Sequence, residues 1–260
     1  MGTDYAGTPS FYSNEEFFNR YLGRTSYYLG LQSVVDKLIN LIKPKTVLEL
    51  GAALGTTTVA MAKRHPQAEF RGSDLRADVV RKANESAMAQ DNLSFFVEDM
   101  CDTAKQDLSG YDLIFLLYSF HHIEDPLGRK MEFLANCHRN MREGAYLLIA
   151  ETFLPEELQG DREEQPIVDL WSVRSAEGYA STYWAALQDL SDDGLDFAKR
   201  VAQTSHDEES EAGSCVFRRD GEYLVKFSWL VDEAKRAGFE VVIAEPVNCL
   251  CEKALLLRKR

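Results

Sequence analysis

The stretch from Thr46 to Gly55 constrains the fold of this chain more than any other part of its sequence. It reads TVLELGAALG, a short apolar run followed by a turn with two glycines, and residues 56–64 continue in a helical pattern. A buried strand that turns directly into a helix places backbone N–H groups and the positive end of the helix dipole beside a ligand. Gly51 and Gly55 allow a sharp turn and a close approach to that ligand. Because a carboxylate in an apolar strand is costly without a partner, we expect Glu49 to face the ligand or its water.

Charge and length narrow the classes of function. The chain has 260 residues, enough for one large core with a modest insertion, and a formal charge of −13, which would repel a nucleic acid. No run approaches the ~18 apolar residues of a membrane span, and the start of the chain lacks a signal-peptide pattern. The five cysteines are scattered and odd in number, as is typical of free thiols in a reducing cytosol. We therefore expect a cytoplasmic protein that binds no nucleic acid, membrane or metal.

Apolar runs and helical patterns alternate through the centre of the chain. Strands are predicted at 46–50, 69–73, 93–98, 112–118 and 145–151, and helices at 56–64, 77–90 and 126–142. This alternation, with almost continuously apolar strands, predicts a parallel sheet covered by helices on both faces. Ligands of such sheets bind at the carboxyl ends of the strands.

Two segments stand apart from this alternation. Residues 1–44 are predicted to form a helical cap rich in aromatic side chains. The cap either packs onto the core or closes over a pocket, and in the second case Tyr27 and Tyr28 are candidate substrate contacts. Residues 155–221 are predicted to form an inserted helical lid that divides the main domain into 45–154 and 222–260. Its aromatic residues either wall a substrate pocket or form an ordinary buried helix face; the candidates are Trp171, Tyr179 and Tyr183.

Polar residues follow each predicted strand, where a ligand would lie. Asp74 follows the second strand, and a carboxylate there can accept two hydrogen bonds from a ribose diol. Asp99 and Met100 follow the third strand and combine a hydrogen-bond acceptor with an apolar contact, as an adenine requires. The residues at the ends of the fourth and fifth strands are Tyr118, Ser119, His121, His122 and Glu151.

These residues together resemble the class I S-adenosylmethionine-dependent methyltransferases. The resemblance covers roughly 45–152 and rests on the ELGAALG turn (49–55), Asp74, the Glu98–Asp99 pair and the His-His-Ile run (121–123). It resumes at the last helix and its Ala-Gly-Phe ending (228–239), followed by 240–245 and 253–258 as a closing hairpin. The resemblance implies an α/β, Rossmann-like, doubly wound fold with a seven-stranded sheet, mostly parallel and completed by an antiparallel C-terminal hairpin.

The resemblance also implies the cofactor, S-adenosylmethionine, and its product, S-adenosylhomocysteine. By position, the residues expected around the cofactor are Glu49, Gly51, Ala52, Gly55, Tyr118 and Ser119 at its methionine end, Asp74 at its ribose, and Leu75, Asp99 and Met100 at its adenine. The family's middle glycine is replaced by Ala53, whose methyl group is expected to shift the loop slightly. A nicotinamide dinucleotide is disfavoured because its G-x-G-x-x-G fingerprint needs three glycines.

The chemistry on the methyl acceptor is less defined by the sequence. Transfer from a sulfonium is an in-line displacement, so positioning can supply much of the rate, and a base is needed only if the nucleophile carries a proton. His121 and His122 are the candidate catalytic bases, although one of them could instead cap a helix or fill the core. We expect O-, N- or C-methylation of a small molecule by the chain, and a homodimer stays open. The alternative is a protein that binds the cofactor without transferring methyl, for regulation or for another reaction such as a cyclisation.

Overall fold

A seven-stranded sheet forms the centre of the computed structural model, which describes residues 26–102, 107–123, 128–153, 156, 225–247 and 252–260. Its strands are β1 (Thr46–Leu50), β2 (Glu69–Asp74), β3 (Leu93–Val97), β4 (Leu113–Leu117), β5 (Tyr146–Thr152), β6 (Phe239–Pro246) and β7 (Glu252–Lys259). They lie in the order β3-β2-β1-β4-β5-β7-β6. The first five are parallel, and β7 runs antiparallel between β5 and β6. The predicted doubly wound sheet with a closing antiparallel hairpin is confirmed.

Five α-helices accompany the sheet in the described ranges. They are α1 (Ser26–Ile42), α2 (Thr56–Arg64), α3 (Ala77–Ala87), α4 (Gly128–Asn140) and α5 (Phe227–Arg236), and short 3-10 turns lie at Met100–Asp102 and Phe120–His122. Helix α3 ends three residues before its predicted end at residue 90. The side chain of Asn92 donates to the carbonyls of Ala62 (3.2 Å) and Ala68 (2.9 Å), which directs the chain into β3.

The two faces of the sheet carry different helices. Side chains alternate along a strand, so Val47 packs with α1 and α2 whereas its neighbour Leu48 packs with α4 and α5. Both residues are fully buried, as expected for a parallel strand covered on both sides. Helix α3 packs over β3 through Phe95 in a smaller cluster.

Helix α1 lies within the predicted cap, and it packs against the core. Its buried residues recur at helical spacing and are Leu31, Val35, Leu38 and Ile39. Asp36 of the same helix holds Nε2 of His65, at the end of α2, at 2.7 Å. Residues 1–25 lie outside the described residues, as do the side chains of Tyr27 and Tyr28, so a role of the cap over a pocket stays a prediction.

Glu156 joins β5 to the start of α5. Its carboxylate accepts hydrogen bonds from the Ser228 backbone (3.1 Å) and hydroxyl (2.6 Å), and it lies 3.7 Å from Nζ of Lys253 on β7. A carboxylate at the first turn of a helix satisfies N–H groups and favours the dipole. Glu156, which belongs to the predicted lid at 155–221, therefore lies beside the start of α5, and the other residues of that lid lie outside the described residues.

Candidate functional site

The turn after β1 brings three strand ends together. Gly51 has a φ of 72°, and a Cβ built on it would lie 2.5 Å from Cβ of Ser119 and 3.7 Å from Sδ of Met100. Ser119 is buried and donates its hydroxyl to the carbonyl of Leu50 at 2.8 Å. The ends of β1, β3 and β4 thus meet around a backbone position where only glycine fits.

Ala53 continues this turn in a left-handed conformation. Its φ is 46°, where a Cβ is strained, and its N–H donates to Oδ2 of Asp74 at 2.9 Å. The other oxygen of Asp74 accepts the N–H of Arg76 at 3.0 Å. Burial raises the pKa of Asp74, and the two backbone hydrogen bonds oppose that rise. The carboxylate predicted for the ribose therefore also supports the turn that carries the alanine.

Gly55 and Gly72 are required by a packed phenyl ring. A Cβ at Gly55 would lie 2.3 Å from Cζ of Phe95, and one at Gly72 would lie 2.5 Å from Cδ1 of the same ring. Phe95 is held in turn by Asn84, which donates to its carbonyl at 2.9 Å and accepts its N–H at 3.0 Å. The expectation that Gly55 makes room for a ligand is therefore corrected, because the group nearest to it is Phe95 on β3.

Glu49 is buried beneath the turn and does not lie at an open strand end. Its carboxyl group is 2% exposed and accepts hydrogen bonds from the hydroxyl and backbone N–H of Thr58, in the first turn of α2. Burial raises the pKa of Glu49 to about 8, although the bonds from Thr58 oppose this. The expectation that it faces a ligand or its water is corrected: the helix start is its partner, and its contact with the cofactor stays a prediction.

The residues predicted for the adenine lie at the ends of neighbouring strands. Leu75, directly after β2, is 46% exposed, which is unusual for a large apolar side chain beside a strand end. Asp99 follows β3 and accepts the N–H of Cys101 at 2.8 Å, so that it begins the 3-10 turn carrying Met100. An exposed leucine and a methionine flanking a carboxylate are suited to a flat ring with a hydrogen-bond donor at its edge.

The end of β4 carries the two histidines. Tyr118 has a φ of 52°, a strained value for a bulky residue, and its N–H donates to the carbonyl of Ala150 on β5 at 3.1 Å. The 3-10 turn Phe120–His122 follows directly. Within it His121 is buried and His122 is half-buried, and the centroids of the two rings are 4.0 Å apart.

A buried carboxylate fixes the His121 ring. Nδ1 of His121 lies 2.8 Å from Oε2 of Glu151, and the His121 backbone N–H lies 3.3 Å from the same oxygen. The other oxygen of Glu151 accepts the N–H of Thr152 at 2.7 Å. A carboxylate at Nδ1 sets the tautomer and orientation of an imidazole.

The sequence places Glu151 at a strand end but does not pair it with a histidine. The position of Glu151 could have indicated the pairing, because Glu151 lies at the end of the apolar strand β5, directly beside β4 in the parallel sheet. Carboxyl ends of neighbouring parallel strands meet at one edge, so a histidine after one strand and a glutamate at the end of the next are within reach.

The remaining predicted substrate contacts cannot be placed. Trp171, Tyr179 and Tyr183 lie outside the described residues, as do the side chains of Tyr27 and Tyr28. Over the ranges that the structure covers, no group of His, Cys, Asp and Glu has a metal-binding arrangement, and no helix is long and apolar enough to cross a membrane.

Comparisons with known proteins give a family match and several likenesses of fold. Residues 48–147 match the family model of a methyltransferase domain. The structure resembles mitomycin 7-O-methyltransferase (TM-score 0.59, 16% identity, 100% of this chain and 61% of that one). It also resembles human N-acetylserotonin methyltransferase in complex with S-adenosylmethionine (TM-score 0.57, 16% identity, 96% and 57% covered). A third structure is an S-adenosylmethionine-dependent methyltransferase from Aquifex aeolicus (TM-score 0.55, 15% identity, 91% and 95% covered).

At sequence identities this low, the three likenesses show the fold alone. The chain spans about three fifths of the length of the first two structures. The family match adds the domain, since it begins within β1 and ends within β5, the part of the sheet that carries the glycine turn and the histidines. Residues 48–147 of this chain therefore match a methyltransferase domain, within a fold that it shares with S-adenosylmethionine-dependent methyltransferases.

Proposed function

We propose that the whole protein transfers a methyl group from S-adenosylmethionine to a hydroxyl group of a small molecule, with His121 as the general base. The observation that carries this proposal is the 2.8 Å contact between Nδ1 of His121 and Oε2 of Glu151 at the carboxyl ends of β4 and β5.

The groups at the strand ends fit S-adenosylmethionine better than a dinucleotide. The chemistry there is that of hydrogen-bond acceptors: Asp74 at the end of β2 and Asp99 after β3. The ionised carboxylates of Asp74 and Asp99 attract ribose hydroxyls, an adenine amine and a cationic sulfonium, but they repel the pyrophosphate of a dinucleotide. Gly51 keeps the turn close to Met100 and Ser119. When bound, S-adenosylmethionine supplies an electrophilic methyl group.

His121 has the arrangement of a base held ready for one proton. With Glu151 accepting at Nδ1, that nitrogen keeps its proton, and Nε2 is the one that would take the proton of an acceptor hydroxyl. Glu151 also stabilises the imidazolium that forms. His122 packs against the ring and is the more exposed of the two, which favours contact with the substrate for it.

A base paired with a carboxylate favours an acceptor that must lose a proton. A neutral hydroxyl is a poor nucleophile until its proton is removed, whereas a free amine or a thiolate needs no such help. Mitomycin 7-O-methyltransferase, which this fold resembles, is by its name an oxygen methyltransferase. We accordingly favour O-methylation over N- or C-methylation.

The charge of the chain supports a small acceptor. A formal charge of −13 would repel the phosphates of RNA or DNA. An aromatic lid over the substrate stays a prediction. A cytoplasmic location also stays a prediction, and the free thiols of Cys101 and Cys137 support it.

The test is methyl transfer from S-adenosylmethionine with a labelled methyl group to a panel of phenols, enols, amines and thiols. The proposal predicts a labelled product from at least one hydroxyl compound. It also predicts that His121→Gln lowers kcat on the order of 100-fold, while the affinity for S-adenosylhomocysteine stays close to that of the wild type. Ser86→Ala, on the exposed side of α3, is the control and leaves both quantities unchanged.

Three results would contradict the proposal. A panel in which only amines or thiols are methylated would exclude the hydroxyl acceptor. Full activity in His121→Gln would show that His121 is not the general base and that positioning of the substrates accounts for the rate of methyl transfer. Tight binding of S-adenosylmethionine with no product from any acceptor class would favour a protein that binds the cofactor without transferring methyl.

A further inference from the structure

Lys130, in the first turn of α4, is fully buried among apolar side chains. Its relative exposure is 0%. It lies at helical spacing with Phe133, Leu134 and Cys137, the buried stripe of the same helix. A position of this kind is usually taken by leucine or methionine, because a buried ammonium is costly unless it has specific partners. The contacts of Lys130 therefore indicate why a charged residue occupies this buried position.

Two contacts of the ammonium with described residues lie on either side of the two histidines. Nζ of Lys130 donates to the carbonyl of Ile123 at 2.7 Å, directly after the turn. It also lies 5.6 Å from the centroid of the Phe120 ring, the first residue of the turn. His121 and His122 are the two residues between these contacts.

The histidine turn has few backbone hydrogen bonds of its own. The N–H of His122 reaches the carbonyl of Ser119 at 3.1 Å, and that of Ile123 reaches the carbonyl of Phe120 at 3.2 Å. A single 3-10 turn with such long bonds does not determine the angle at which a side chain leaves it. An external clamp on its two ends supplies that constraint, in the way that outer groups orient functional side chains.

We propose that Lys130 is a positioning residue, which clamps the turn Phe120–His122 and so sets the His121 ring against Glu151. The inference deepens the proposed function, since its importance for catalysis rests on His121 acting as the base. The structural part of the inference does not depend on catalysis: loss of the ammonium changes the orientation of the His121 ring whether or not the protein transfers methyl groups.

The experiment is NMR of protein with isotopically labelled histidine rings, in the wild type, Lys130→Met and Lys130→Arg. Methionine keeps the length of the side chain without the charge, and arginine keeps the charge with a different donor geometry. The His121 signal is assigned by its loss in His121→Gln. Lys235→Met on α5 is the matched control, because Lys235 is 58% exposed and lies outside the site.

We expect the His121 ring signal to move from its wild-type position in Lys130→Met, and to move less in Lys130→Arg. The signals of His65, at the end of α2, and of His138, two turns further along α4, stay in place in both variants. All histidine signals stay in place in Lys235→Met. A His121 signal that coincides with the wild type in Lys130→Met would overturn the proposal. So would movement of all three signals together, which would make Lys130 a purely structural residue.

If Lys130→Met does not fold, Lys130→Gln, a neutral and shorter side chain, decides by the same criterion: movement of the His121 signal while those of His65 and His138 stay in place supports the clamp, and an unchanged His121 signal excludes it. Calorimetry of the same samples with S-adenosylhomocysteine separates the two proposals. A wild type that does not bind this nucleoside would contradict the proposed function, while the dependence of the His121 signal on Lys130 would still stand or fall by itself.

Discussion

The backbone N–H of Ala53 donates a 2.9 Å hydrogen bond to Oδ2 of Asp74, which joins the turn after β1 to the acidic end of β2. The same carboxylate holds the N–H of Arg76 before α3. The shape of the glycine turn and the position of the predicted ribose acceptor are therefore set by one side chain. An alanine at this point is accommodated in a left-handed conformation, with its hydrogen bond intact.

Ala53→Gly is expected to stabilise the protein. Relief of the left-handed strain exceeds the entropy that glycine gains in the unfolded chain, and we expect a net increase of about 0.5–1 kcal/mol in the free energy of unfolding. Urea denaturation measures this. The matched control is Ala60→Gly within α2, where a right-handed helical position makes glycine destabilising by about 1 kcal/mol. A loss of stability in Ala53→Gly would show that the alanine is not strained.

Asp74→Ala is expected to weaken cofactor binding by roughly 10- to 100-fold, because the ribose loses its charged acceptor and the turn loses the bond to Ala53. Isothermal titration with S-adenosylhomocysteine measures the affinity. Asp78→Ala is the control, since Asp78 lies in the first turn of α3, is 54% exposed and forms its ion pair with Arg76. Equal affinities of wild type and Asp74→Ala would remove Asp74 from the cofactor site.

Glu49→Gln is expected to change how stability depends on pH. The folded protein holds the Glu49 proton up to about pH 8, whereas the ordinary pKa of a glutamate carboxyl group, which applies to the unfolded chain, is 4.5. The folded state therefore binds more protons between these values, and the wild type loses stability as the pH rises through this window. Glutamine still accepts the bonds of Thr58 and does not titrate.

The stability of Glu49→Gln relative to the wild type is thus expected to rise between about pH 5 and pH 8, by on the order of 2–4 kcal/mol. Other titrating groups contribute equally to both proteins and cancel in the difference. Denaturation curves at the two pH values measure it. Parallel pH dependence in both proteins would mean that Glu49 is ionised throughout and that its burial does not raise its pKa.

Asn84→Ala is expected to lower the free energy of unfolding by about 1–3 kcal/mol, because the amide satisfies both backbone groups of the buried Phe95 on the edge strand β3. Asn40→Ala is the matched helical control: Asn40 is exposed and bonds only to the Asp36 carbonyl within α1. A change within about 0.5 kcal/mol is expected there. Equal effects of the two substitutions would show that the edge strand does not depend on Asn84.

The fold could be predicted because its signals are local. The apolar run of β1 and the helical pattern of α2 have the predicted ends, residues 46–50 and 56–64, and the Ala-Gly-Phe ending marks the passage from α5 to β6. The limits of α3 and β4 differ by one to three residues, because hydrogen bonds from distant side chains such as Asn92 decide where an element stops.

The candidate site was less accessible to sequence reasoning because its contacts join distant parts of the chain. Nothing local connects Gly55 with Phe95, or His121 with Glu151, although the order of the strands brings each pair together. Lys130 can be recognised in the sequence as a lysine within the apolar stripe of a helix. Its role depends on the position of the Ile123 carbonyl, which only the structure gives.

The central claim is that the strand ends bind S-adenosylmethionine, and calorimetric titration of the purified protein tests it most directly. The titrants are S-adenosylmethionine, S-adenosylhomocysteine and NAD, each added separately. The account predicts micromolar binding of the two sulfur nucleosides and no heat of binding with NAD. Binding of NAD alone, or no binding of either sulfur nucleoside, would contradict it.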